Sequence, residues 1–136
     1  MERHWRLSDS EFEAQFKNST FRPLRFSHEA HLRLAWILIK KYQATKAYMY
    51  YKDQLWSFAQ KYKAETKFNL TITYASIKIM DVYMSNSNSQ NFKEFIAEFP
   101  ELKTNFKSLL KNYYSKDIFT SLEAKKQIIE PDLHPF

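Results

Sequence analysis

The chain has neither glycine nor cysteine among its 136 residues. Lack of cysteine excludes disulfides, thiolate metal sites and cysteine nucleophiles. Lack of glycine excludes a P-loop, a dinucleotide-binding turn and a Gly-x-Ser-x-Gly nucleophile elbow in recognisable form. Each of these needs a residue without a Cβ where the backbone approaches a phosphate or bends sharply. Helices must also end without glycine, so Asn, Ser and Pro are the expected terminators. No apolar run approaches the roughly 20 residues needed to cross a bilayer. The stretch MERHWRLSDSEFE is charged throughout and lacks the apolar segment of a signal peptide. A cytoplasmic protein with no membrane partner is therefore expected.

Aromatic residues are abundant, with 12 Phe, 9 Tyr and 3 Trp, and they supply large groups for a core at single-domain length. The formal net charge is +6, which favours anionic partners in general. Arg3, Arg6, Arg22, Arg25 and Arg33 are all the arginines, and every later basic residue is Lys. No alternating basic–aromatic signature of RNA binding is present, which disfavours nucleic acid as a partner.

Ser8-Asp9-Ser10-Glu11 reads as a capping box that opens a helix from Asp9 to about Lys17. Pro23 interrupts the following loop, and Ser27 caps a helix from His28 to about Tyr42. Leu32, Ala35, Trp36 and Ile39 form its inner stripe, with Glu29, Arg33 and Lys40 opposite. A third helix runs from Thr45 to about Tyr62, with Met49 and Trp56 off its inner stripe, and a fourth from Asn69 to Met84. Residues 85–90 are a polar turn. Short helices follow around 92–99, 101–114 and 121–129, and Pro131 and Pro135 keep 130–136 extended. The expectation is all-α: a compact single-domain bundle of about six helices over 1–136, with an amino-terminal arm (1–8) and an extended carboxy-terminal tail. The second, third and fourth helices should form its central packing unit.

At roughly 100° per residue, His28 and His31 flank the apolar stripe of their helix, while Asn69, Thr73 and Ser76 share the inner face of the fourth. An unsatisfied buried polar group costs about 1–3 kcal/mol, so inward imidazoles need partners. Partners within the protein would make the cluster structural; an external partner would make it a site. The site reading is a polar pocket lined by His28, His31, Asn69, Thr73 and Trp36 that binds a small, anionic ligand. Its alternative is a metal-dependent enzyme with His28 and His31 as ligands to a transition metal. Two ligands are too few, and a third would come from His4, His134, Asp81 or Glu65. His28-Glu29-Ala30-His31 is one residue short of the zincin helix, which excludes a metalloprotease of that type. A third reading is an interaction module using Lys-rich, aromatic surface, with Met49 and Trp56 marking a partner or homodimer face.

Three stretches carry a resemblance: His28-x-x-His31-Leu32-x-x-Ala35-Trp36, Lys67-Phe68-Asn69-x-Thr71-x-Thr73 and Pro131-Asp132-Leu133-x-Pro135. Together they resemble a family of small uncharacterised all-helical bacterial proteins, over the chain from about Phe26 onward. The resemblance implies a three-histidine cluster in relatives with His at position 69, where this chain has Asn69. It implies no activity.

Overall fold

The computed structural model describes all 136 residues and is all-helical. It contains two compact units, Met1–Phe68 and Asn69–Phe136. No helix is long and apolar enough to cross a membrane.

In the first unit, a 3-10 turn (Arg3–Arg6) precedes α1 (Asp9–Lys17), a second 3-10 turn (Pro23–Arg25) and the long α2 (His28–Lys61). The Ser8 capping box forms as expected, with Ser8 Oγ accepting from Glu11 N–H and Glu11 accepting from Ser8 N–H. Ser27 caps α2 by accepting from Ala30 N–H. The two helices expected over 28–42 and 45–62 form one element with a break at Gln43, whose φ of 65° and ψ of 168° are not helical. From Leu32 to Ile39 every residue of α2 is buried, so this half is enclosed around its whole circumference rather than along one stripe. Phe16 is the hub of the first core, with its ring centroid 4.6–5.5 Å from those of Phe12, Phe21, Phe26 and Phe58.

The second unit runs through α3 (Leu70–Ser85), α4 (Phe92–Glu98), α5 (Glu101–Thr104), α6 (Phe106–Lys111) and α7 (Leu122–Lys126). The single helix expected over 101–114 is two short ones, because Asn105 leaves the helical region at φ −140°. Buried Leu102, Phe106 and Leu110 keep the i, i+4 spacing across that break. α7 ends at Lys126 rather than 129, because Thr71 of α3 captures the chain beyond it. Thr71 Oγ1 donates to Gln127 C=O (2.7 Å) and accepts from Ile129 N–H (3.0 Å). The tail is docked: Leu133 N–H donates to Tyr113 C=O, and the Phe136 ring stacks on Tyr113 at 4.7 Å.

Without glycine, the backbone still needs left-handed positions. Ser19 (φ 53°) follows α1 and Lys63 (φ 54°) follows α2. Each closes a Schellman motif: Thr20 N–H bonds Gln15 C=O and Ser19 N–H bonds Phe16 C=O, while Ala64 and Lys63 bond Ala59 and Gln60 likewise. Gln43 lies in a region that only glycine enters without strain, at a cost of about 1–3 kcal/mol. A glycine there relieves that strain but adds about 0.5–1 kcal/mol of unfolded-state entropy cost. Gln43→Gly should therefore raise the urea midpoint of unfolding, and Gln43→Val should lower it.

Candidate functional site

α2 carries Glu29 and Arg33 one turn apart, and both are buried, not on an outer face as helical periodicity suggested. Their partners come from the chain's first nine residues. Arg33 uses all five of its N–H groups: Nε and Nη2 donate to Asp9 Oδ1, Nη2 to Leu7 C=O (2.7 Å), and Nη1 to His4 C=O (2.6 Å) and His4 Nδ1 (3.3 Å). The guanidinium also lies 4.6 Å from the Phe12 ring centroid. Because Arg33 can only donate, His4 Nδ1 is an acceptor, and the ring proton sits on Nε2 and points to Glu29 Oε1 (2.7 Å). Burial lowers the His4 pKa, opposed by the Glu29 hydrogen bond and charge and reinforced by Arg33. Trp5 Nε1–H donates to the same Glu29 oxygen at 2.8 Å.

Glu2, His4 and Glu29 are the one group of three residues with ligand atoms close enough to hold a metal ion. Its surroundings do not suit one. Glu29 Oε1 already accepts two hydrogen bonds, and a cation bound at His4 would face the Arg33 guanidinium across the ring. The cluster is an ion-pair and hydrogen-bond network that fastens the amino-terminal segment to α2.

The remaining four arginines are arranged differently. In a 3-10 turn residues three apart eclipse one another. Arg3 and Arg6 stand at that spacing in the first turn, while Arg22, in extended backbone at φ −74° and ψ 125°, leads into the Pro23–Arg25 turn that Arg25 ends. The two pairs converge on a cleft of about 250 Å³ lined by Arg3, Arg6, Arg22 and Arg25, with His4 and Gln15. None of the four makes an ion pair or a side-chain hydrogen bond within the protein, whereas Arg33 makes five. Crowding by surrounding atoms, then the charges of Arg22, Arg3 and Arg6, lower the Arg25 pKa. Charge is divided along the chain in the same sense. Met1–Phe68 holds thirteen Lys and Arg against seven Asp and Glu, while Asn69–Phe136 holds eight against eight. The whole net charge of +6 therefore belongs to the unit with the cleft.

Comparisons with family models, curated proteins and solved structures found no match to this chain.

The residues expected to share one pocket have separate environments. His28 is exposed, which corrects the expectation that both histidines face inward: it is the first residue of α2, where no preceding turn covers it. His31 is half-buried, with its ring flat on Phe26 (3.5 Å, 8°) and Nδ1–H donating to Ser27 C=O at 2.8 Å. Its partners are thus internal, and neither histidine belongs to a group of three candidate metal ligands. Trp36 is buried beneath Lys40, whose Nζ lies 5.5 Å from the ring centroid. Asn69 caps α3 by accepting from Ile72 N–H and donates Nδ2–H to Ile118 C=O (2.7 Å). Thr73 Oγ1–H donates to Asn69 C=O. Their polar atoms are spent inside the second unit. His134, Asp81 and Glu65 belong to no three-ligand group either. Met49 and Trp56 are exposed at 50% and 39%, and the Trp56 ring packs on Phe68 at 5.1 Å. Sequence reasoning missed the arginine cleft. The available signal was the Arg-x-x-Arg spacing, used twice.

Removing the Arg33 guanidinium leaves the His4 carbonyl and ring nitrogen and the Leu7 carbonyl without their donor, at about 1–3 kcal/mol for each buried group, so Arg33→Ala should lower the unfolding free energy by several kcal/mol, as read by urea denaturation. Arg33→Lys should recover only part, since an ammonium cannot reach all five acceptor positions. For His31, crowding lowers the pKa to about 4, against a partial rise from the Ser27 hydrogen bond. The unfolded chain takes up a proton near pH 6.5 and the folded one only near 4. Stability is then complete above pH 6.5 and falls as pH drops towards 4. The slope should be shallower in His31→Phe, and an NMR titration should find the His31 imidazole uncharged at pH 5.5.

Proposed function

We propose that this protein binds a small anionic ligand in the cleft formed by its two 3-10 turns. One observation carries this reading: four guanidiniums line one small concavity with no carboxylate paired to any of them. Like charges held together without counter-charge raise the folding free energy, and an anion bound among them removes that repulsion. Guanidinium forks match the geometry of phosphate and carboxylate oxygens. The ligand sought from the inward histidines is thus better served by arginines. The supporting residues are Arg3, Arg6, Arg22 and Arg25, with Gln15 as a neutral hydrogen-bonding group at the wall.

The concavity favours a small anion over a nucleic acid. Duplex DNA is tracked by basic groups spread along a face, at a charge spacing of about 1.7 Å along the helix axis. Four arginines around 250 Å³ instead enclose one or two anionic groups. The buried Arg33–His4–Glu29 network holds the first turn in place before any ligand arrives, so little ordering is needed on binding.

Thermal unfolding in sodium phosphate and in sodium chloride of equal ionic strength tests the reading. A ligand that binds only the folded state raises Tm saturably with concentration. The expected result is a phosphate-specific rise that is lost in an Arg22→Gln/Arg25→Gln double variant. Identical Tm values in the two salts would overturn the proposal.

A further inference from the structure

The wall of the arginine cleft has a second side. Arg3, Arg22 and Arg25 also line an adjoining open pocket of about 690 Å³, completed by Glu2, Pro23, Leu24 and Ser27. Its surface is largely apolar, unlike that of the cleft. Leu24 stands at the tip of the 3-10 turn with a relative exposure of 102%, so it contributes nothing to the core. An isolated exposed leucine is ordinary. This one is flanked by Pro23 and held between Arg22 and Arg25 on a turn whose φ the proline restricts. Glu2 is the one carboxylate on this wall, and it is engaged by the Ser27 hydroxyl and lies 3.7 Å from His4 Nε2. Basic and apolar surfaces thus meet along three arginines that line both pockets, and the alkyl stem of an arginine can cover apolar area while its guanidinium stays in a polar setting.

We propose that the ligand is a phosphate-bearing amphiphile, with its phosphate among the four arginines and its apolar portion against Pro23 and Leu24. This rests on the anion-binding reading above and narrows it to a chemical class. The same chemistry has two sources: a soluble phosphate ester with an apolar substituent, or a phospholipid headgroup presented by a bilayer, into which Leu24 would dip at the interface. The absence of a spanning helix bears on neither.

Binding of three probes to the full chain separates these cases: inorganic phosphate, dihexanoyl phosphatidic acid below its micelle-forming concentration, and vesicles of phosphatidylcholine with or without phosphatidic acid. Covering Leu24 with an acyl chain should make monomeric dihexanoyl phosphatidic acid bind at least about tenfold more tightly than inorganic phosphate. Leu24→Ser, a fully exposed position where folding is not at stake, should bring the two affinities together. Arg22→Gln/Arg25→Gln should abolish both. Sedimentation with phosphatidic acid vesicles beyond what the monomeric probe's affinity explains identifies a bilayer as the source. Tight binding of the monomer without sedimentation identifies a soluble ester. Equal affinities for inorganic phosphate and dihexanoyl phosphatidic acid in the unaltered chain overturn this inference and leave the anion site standing. An undiminished preference for dihexanoyl phosphatidic acid in Leu24→Ser, or sedimentation with phosphatidylcholine vesicles to the same extent as with phosphatidic acid vesicles, also overturns it. No binding of any probe overturns both readings.

Discussion

The first unit depends on one guanidinium. Arg33 sits in a helix that is buried around its circumference, where an unpaired charge would be prohibitive. Its five donors are met only because the chain's first nine residues fold back over α2 and offer two carbonyls, a ring nitrogen and a carboxylate. That requirement shapes the amino-terminal segment. A 3-10 turn there presents the His4 carbonyl and ring together, and the same tight turn eclipses Arg3 with Arg6. The structural arginine thereby positions two of the four arginines offered to a ligand.

The buried carboxylate on the same helix completes the logic. Glu29 receives His4 and Trp5, so the charge of Arg33 is balanced through a neutral imidazole as well as by Asp9. Every member has a partner, and a fully satisfied network in a low dielectric holds a single geometry. The arginine cleft beside it has the opposite character: charge of one sign, open to solvent, and unpaired. One unit thus contains five arginines in two states, one neutralised inside and four left facing outward. The second unit, with balanced charge, spends its buried polar groups on its own backbone. Asn69 and Thr71 fasten α3 to the segments around Ile118 and Gln127, Thr73 donates to Asn69 C=O at the start of α3, and Tyr114 donates to Ile129 C=O.

Much of the secondary structure was legible in advance because its causes are local. Ser8 and Ser27 cap the helices they were expected to cap, since a cap needs only a side-chain oxygen three residues before an amide. Ser19 ends α1 as a serine was expected to end a helix, but Lys63 does the same after α2, because the Schellman geometry demands a backbone conformation more than a residue type. The break at Gln43 fell between two helices read as separate, and 130–136 is free of helix, as its two prolines required, though it bends at 132–134 where it docks on Tyr113. What failed was the assignment of charged residues to solvent. Glu29 and Arg33 were placed on an outer face by periodicity, and His28 on an inner one. Their true environments are set by partners 24 to 29 residues away, and by the lack of a preceding turn at His28.

The sequence by itself determined the all-helical class, the helix starts, and the chemistries that a chain without glycine or cysteine cannot support. These follow from side-chain periodicity, capping and the bare inventory of atoms, none of which requires knowing what lies across space. Only the tertiary structure decided which of the five arginines is consumed in folding and which four remain available. That distinction depends on long-range return of the chain, and on two 3-10 turns meeting at one cleft. Identical residue types carry no mark of it until their neighbours are in place.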